Sequence, residues 1–170
     1  MKRLSAVRSL FVYFLYGITL DTTHAQENEL FGNTLVCTYS QYGHQSTLTI
    51  YVTKARAFEY HGAGPSKRGI IYEFGKTRSG VAGVNPYQSS AQIRPGHAEL
   101  SVTLENRTCG ICDGKTIMIA STTRLTKTGA TWIATRNYRQ WFPDGTRAAV
   151  PSGSEQYTCR LRHGRFGVGG

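Results

Sequence analysis

The chain has 170 residues, with 20 Lys+Arg against 10 Asp+Glu and a formal net charge of +10. That length excludes a large multidomain protein, and beyond the first 25 residues no apolar stretch is long enough to span a membrane. The basic balance fits an anionic partner such as nucleic acid, lipid head groups or a cell-wall polymer. The charges are spread along the chain instead of forming blocks, which favours the plainer reading of a solvated, Arg-rich surface.

The first element is a secretory signal peptide over residues 1–25. Lys2, Arg3 and Arg8 form a positive start, and residues 10–20 are apolar apart from Gly17 and Thr19. Thr23 and Ala25 place small residues at positions −3 and −1 of a cleavage site, so Gln26 becomes the mature N-terminus. A membrane anchor would need about 20 apolar residues, and this core has roughly half that. Stable membrane insertion after cleavage is therefore not expected. Lys2, Arg3, Arg8 and Asp21 fall in the segment, which leaves 17 basic and 9 acidic residues and a net charge of +8. The expected location is periplasmic or secreted.

Residues 26–163 then read as one β-rich domain. In residues 34–39, Leu35, Cys37 and Tyr39 share one face of a strand. In residues 47–53, Leu48, Ile50 and Val52 oppose Thr47, Thr49, Tyr51 and Thr53. Residues 57–60 and 69–74 are shorter candidates. Residues 75–90 interrupt the pattern with Ser79-Gly80, Gly83 and Asn85-Pro86, and are expected to form a surface flap or a disordered excursion. Alternation resumes in residues 98–104, where Ala98, Leu100, Val102 and Leu104 line one side, and continues through 116–122, 131–142 and 156–162. The β-branched and aromatic content of these runs agrees, and no stretch sustains a period of 3.6.

Turn chemistry separates the runs: Tyr42-Gly43, Arg94-Pro95-Gly96, Asp113-Gly114, Thr128-Gly129 and Pro143-Asp144-Gly145. Short connections make neighbours antiparallel. The reading is all-β: about eight strands in an up-and-down meander, forming a closed or nearly closed barrel. A two-layer sandwich is the alternative. Residues 164–170 hold four glycines and read as a flexible tail.

Four cysteines remain in the mature chain: Cys37, Cys109, Cys112 and Cys159. An even number in an exported domain points to two disulfides. Cys37 and Cys159 alternate with apolar neighbours near the two ends of the domain, so a bridge between them would tie the first strand to the last. In the chain-entropy treatment a loop of that size is worth up to about 4.7 kcal/mol. Cys109–Cys112 would be a local bridge. Its Cys-x-x-Cys spacing also suits thiol–disulfide exchange or part of a zinc site. However, no helix follows to stabilise a thiolate, and no further ligands lie near in sequence.

Two stretches are candidates for a ligand or polyanion surface. Residues 62–69, Gly-Ala-Gly-Pro-Ser-Lys-Arg-Gly, include Lys67 and Arg68 and have the look of a phosphate cradle. They run into a strand instead of a helix, so a hairpin loop is the simpler reading. In residues 136–142, cations and aromatics interleave. A strand would place Arg136 and Tyr138 on one face and Arg139 and Trp141 on the other, the combination that holds single strands and many sugars. The plainer alternative has Trp141 and Phe142 covering an end of the core beneath Arg stems.

Common catalytic signatures are absent. There is no His-Glu-x-x-His, no Gly-x-Ser-x-Gly and no Gly-x-x-x-x-Gly-Lys-Ser/Thr, and no residue stands out as catalytic, metal-ligating or cofactor-binding. The expectation is a non-enzymatic binding or interaction domain. Its rivals are a polyanion-binding module, a redox or metal protein using Cys109 and Cys112, and an inhibitor of an exported enzyme that presents residues 75–90. Its partner would be an exported protein or an anionic surface or polymer.

Overall fold

In a computed structural model, which describes residues 28–41, 44–61, 69–82, 85–107 and 114–166, the period-two runs become ten antiparallel strands of one sheet and no helix forms among the described residues. They are β1 (Asn33–Gln41), β2 (His44–Val52), β3 (Arg56–His61), β4 (Ile70–Glu73), β5 (Arg78–Ala82), β6 (Asn85–Arg94), β7 (His97–Asn106), β8 (Ile117–Thr128), β9 (Thr131–Trp141) and β10 (Arg147–His163). Residues 1–25, on which the signal-peptide expectation falls, and Lys67, Arg68, Cys109 and Cys112 lie outside the described residues.

Consecutive strands pair from β1 to β4 and again from β5 to β10, and β10 returns to pair with β1. The result is an up-and-down meander wrapped into a nearly closed barrel, with ten strands where about eight were expected. Alternation sets what faces inward. Leu35, Cys37, Leu48, Ile50, Val52, Leu100, Leu125, Trp132, Ala134, Tyr157 and Cys159 are all essentially fully buried in one core. Burying one such large apolar side chain is worth about 1.5–3 kcal/mol.

Cys37 and Cys159 stand directly opposite in the β1–β10 ladder and form a disulfide. Their Cα atoms are 3.9 Å apart, closer than the roughly 5.5–6 Å usual for a bridge. First and last strands are therefore joined both by backbone hydrogen bonds and covalently, and neither presents a free edge there.

The extra two strands correct the reading of residues 75–90. That stretch is neither a flap nor an excursion. It holds β5 and the start of β6, paired from Arg78↔Ser89 to Ala82↔Asn85. Gly80 lies within β5, opposite Tyr87, and has its place because a Cβ there would sit 2.7 Å from the Tyr87 ring. The inward residues of β6 are Tyr87, Ser89 and Ala91, and they close the seam between β4 and the far side of the sheet. The Ile71 amide donates to the Tyr87 hydroxyl (3.0 Å), the Ser89 hydroxyl donates to the Ile71 carbonyl, and Phe74 bridges Ala91 in parallel.

One end of the barrel is covered by residues 28–32. Leu30 is fully buried in the core. The Asn28 side-chain amide donates to the Arg94 carbonyl at the β6–β7 turn (2.8 Å), and the Trp132 indole N–H donates to Glu29 (2.7 Å). At the C-terminal side, the Thr34 hydroxyl donates to the Gly164 carbonyl (2.7 Å) and accepts from the Phe166 amide (3.0 Å).

Candidate binding groove on the outer face

Strand alternation divides the β9 candidates as their spacing requires. Arg136 and Tyr138 turn into the barrel; Arg139 and Trp141 turn out. Inside, Arg136 Nε donates to the Ser121 hydroxyl (2.9 Å), and its terminal nitrogen lies 3.4 Å from Glu155. The Arg136 guanidinium also stands 5.8 Å from the Tyr138 ring centroid. Tyr138 in turn lies across Gly153, its β10 partner, where any Cβ would collide with the phenol oxygen.

A second polar group completes this interior. Glu59 is fully buried and accepts from the Tyr72 hydroxyl (2.8 Å) and from His61 Nε2 (2.5 Å). Burial pushes the Glu59 carboxyl up. The hydrogen bond and charge of His61, the nearby Arg136 and the Tyr72 hydroxyl outweigh it and hold Glu59 below the ordinary carboxylate range. Tyr157 donates to Glu155 (2.7 Å), and burial together with that bond pushes its hydroxyl up to about 12. These groups satisfy one another, which is what buried polar atoms require. Although Glu59 and His61 form a carboxylate–imidazole pair, among the described residues no Ser, Thr or Cys side chain hydrogen-bonds His61. Nor does any set of three His, Cys, Asp or Glu residues there form a cluster able to hold a metal.

The outer face is different in kind. Between Trp141↔Arg147 and Arg139↔Ser152 the β9–β10 register breaks. There β10 uses residues 148–151 where β9 uses only Gln140, and Pro151 falls in the break, where its missing N–H costs no ladder bond. The strands part, and a cavity of about 550 Å³ opens, lined by Arg139, Gln140, Trp141, Gly145, Arg147 and Ser152. The Arg139 guanidinium sits 4.9 Å from the Trp141 ring centroid.

Arg139 also borders a second open depression of about 470 Å³ over β6 to β9. Its floor is a cross-strand row of small polar side chains. Register places Ser90 opposite Ser101, Ser101 opposite Thr122 and Thr122 opposite Asn137, and the row continues past the depression to Ser154, opposite Asn137. Ser101 and Thr122 share a hydroxyl–hydroxyl bond (3.2 Å). Arg139 lines both depressions, so the two adjoin there as one composite groove on the outer face.

Among the described residues, no acidic side chain lines either part. Each of the six glutamates among the described residues already has a cationic or histidine partner: Glu29 with Lys127, Glu59 with His61, Glu73 with Arg56 and Arg78, Glu99 with Arg124, Glu105 with Arg107 and Glu155 with Arg136. Asp144, at the β9–β10 turn, accepts from the Thr146 hydroxyl and amide, and those bonds hold its carboxyl below the usual range. Within 4 Å, Arg139 and Arg147 have no carboxylate among the described residues. Local compensation leaves their charge to the groove.

Arg139 and Trp141 were readable from the sequence as a pair sharing one face of a strand. Arg147 and Ser152 were not, because they reach the groove only through the register break. The Ser/Thr/Asn row was also missed, since each member comes from a different strand. Comparison with protein-family profiles, curated proteins and solved structures gives no match to this chain.

Proposed function

We propose that this is an exported, non-enzymatic binding domain that holds an anionic ligand or polymer in the groove around Arg139, Trp141 and Arg147. The observation carrying the reading is the pair of arginines without carboxylate partners flanking an open groove with no acidic lining, beside an indole already stacked with one guanidinium. Arginine offers a planar fork of donors matched to carboxylate and phosphate, and keeps its charge at any physiological pH. The overall surplus of basic residues adds long-range attraction. Action outside the cytoplasm is supported by the signal-like first 25 residues and by the buried Cys37–Cys159 bridge, a bond that persists in oxidising compartments.

Titration of the mature domain with a soluble polyanion over a series of salt concentrations tests the reading. Log affinity should fall linearly with log salt as counterions are released, and Arg139→Gln and Arg147→Gln should each reduce the slope by about 1. Binding that ignores salt, or a slope untouched by both substitutions, would overturn it.

A further inference from the structure

We infer that the groove is built for an acidic polysaccharide laid across the strands, with sugar hydroxyls on the Ser/Thr/Asn row and carboxylates on Arg139 and Arg147. The inference rests on the groove being an anion site and names the class of ligand it takes. Three features select a glycan over other polyanions.

The first is the floor. Ser90, Ser101, Thr122, Asn137 and Ser154 offer a hydroxyl or amide on each of five consecutive strands, all on the outward face. Each such group both donates and accepts, as a sugar hydroxyl does. Neighbouring strands are about 4.7–4.9 Å apart, close to the advance of one pyranose ring along an extended chain. A glycan crossing the strands would thus meet one polar side chain per sugar. A nucleic-acid backbone takes a longer step and makes little use of an uncharged polar floor.

The second is the aromatic content. Single-stranded nucleic acid is held by successive bases stacking on successive aromatic side chains. Among the described residues that line the groove, Trp141 is the one aromatic on the outward phase; Tyr138 also borders it but is turned inward over Gly153. A single indole suits one sugar ring packed by its C–H face, with the rest of the chain held by hydrogen bonds. The third is the placement of charge. Arg139 and Arg147 lie at one end of the row instead of along its length, so the polymer meets concentrated charge once and neutral polar contacts elsewhere. A polyphosphate offers only charged oxygens and no hydroxyl donors for the neutral part of the row, whereas a uronate chain brings a carboxylate and hydroxyls on each sugar.

The test uses the mature domain and five probes: polygalacturonate, alginate, fully methyl-esterified polygalacturonate, polyphosphate and single-stranded DNA, each titrated by calorimetry at one salt concentration. Variants Ser101→Ala with Thr122→Val remove two hydroxyls from the row at nearly constant volume, and circular dichroism confirms that they fold. The expected result is tighter binding of polygalacturonate or alginate than of polyphosphate or DNA. The methyl ester should lose most of the affinity, and the row variants should weaken the uronate about tenfold while leaving polyphosphate unchanged. If polyphosphate or DNA binds as tightly as the uronates and the row variants change nothing, the glycan inference is overturned while the anion-binding function stands. If no probe binds, both fall.

Discussion

Replacing Cys37 and Cys159 together by alanine separates the covalent from the hydrogen-bonded closure of the barrel. The bridge spans a sequence separation of 122 residues, for which the chain-entropy treatment gives an upper value of about 5 kcal/mol. Measured losses for native disulfides run from about 2 to 5 kcal/mol. Alanine is the right replacement because both sulfurs sit in the apolar core between Leu48 and Trp132, where a serine hydroxyl would add its own desolvation cost. For a domain of this size each kcal/mol moves the melting temperature by roughly 2–4 °C, so a fall of roughly 4–20 °C is expected. The β1–β10 ladder, paired from Asn33↔His163 to Thr38↔Thr158, should survive. Far-UV circular dichroism of the variant should therefore match the parent below its transition. Thermal melts under non-oxidising and oxidising conditions provide the assay. A stability change under about 1 kcal/mol would refute the entropic argument. Loss of strand content at low temperature would show that the bridge, and not the ladder, holds the first and last strands together.

Two interior substitutions test the polar network. Glu59→Gln removes the buried carboxylate that His61 and the Tyr72 hydroxyl hydrogen-bond, while Arg136 keeps Glu155, and should cost about 1–3 kcal/mol. Because the folded carboxyl titrates below its ordinary value of 4.5, it contributes stability that is present above that range and lost as pH falls through the folded value. The parent should lose urea resistance below about pH 4.5 more steeply than Glu59→Gln does, and parallel pH profiles would count against the pairing. Gly153→Ala drives a methyl group into the Tyr138 ring and should cost about 1–3 kcal/mol. Adding Tyr138→Ala should recover part of that loss in a urea double-mutant cycle, whereas strict additivity would mean that the ring does not rest on Gly153.

Much of the barrel was legible because its core is regular. Leu35-Cys37-Tyr39 and Tyr157-Cys159-Leu161 announce both the terminal strands and their shared face, and the disulfide follows from the alternation. The β5–β6 hairpin was hidden because its inward positions are Gly80, Tyr87, Ser89 and Ala91. These look like loop residues in one dimension, but the inward positions of β6 are polar or small to fasten β4 across the seam. Glu59 and His61 carried a signal that was passed over. They continue the inward face begun by Ala57, so burial of a carboxylate beside an imidazole was readable from spacing alone. The groove was only half legible. Period two placed Arg139 and Trp141 on a face of their own, but no periodicity runs through residues 148–151, and a row assembled from five strands leaves no trace in the local pattern.

The central claim is that anions bind at the β9–β10 break. Amide chemical-shift mapping of the mature domain, titrated with alginate at low salt, tests it most directly. The account predicts that shifts concentrate on Arg139, Gln140, Trp141, Arg147 and Ser152 and spread along Asn137, Thr122 and Ser101. Shifts confined to other exposed arginines, such as Arg94, Arg160 and Arg162, with the groove silent, would contradict it.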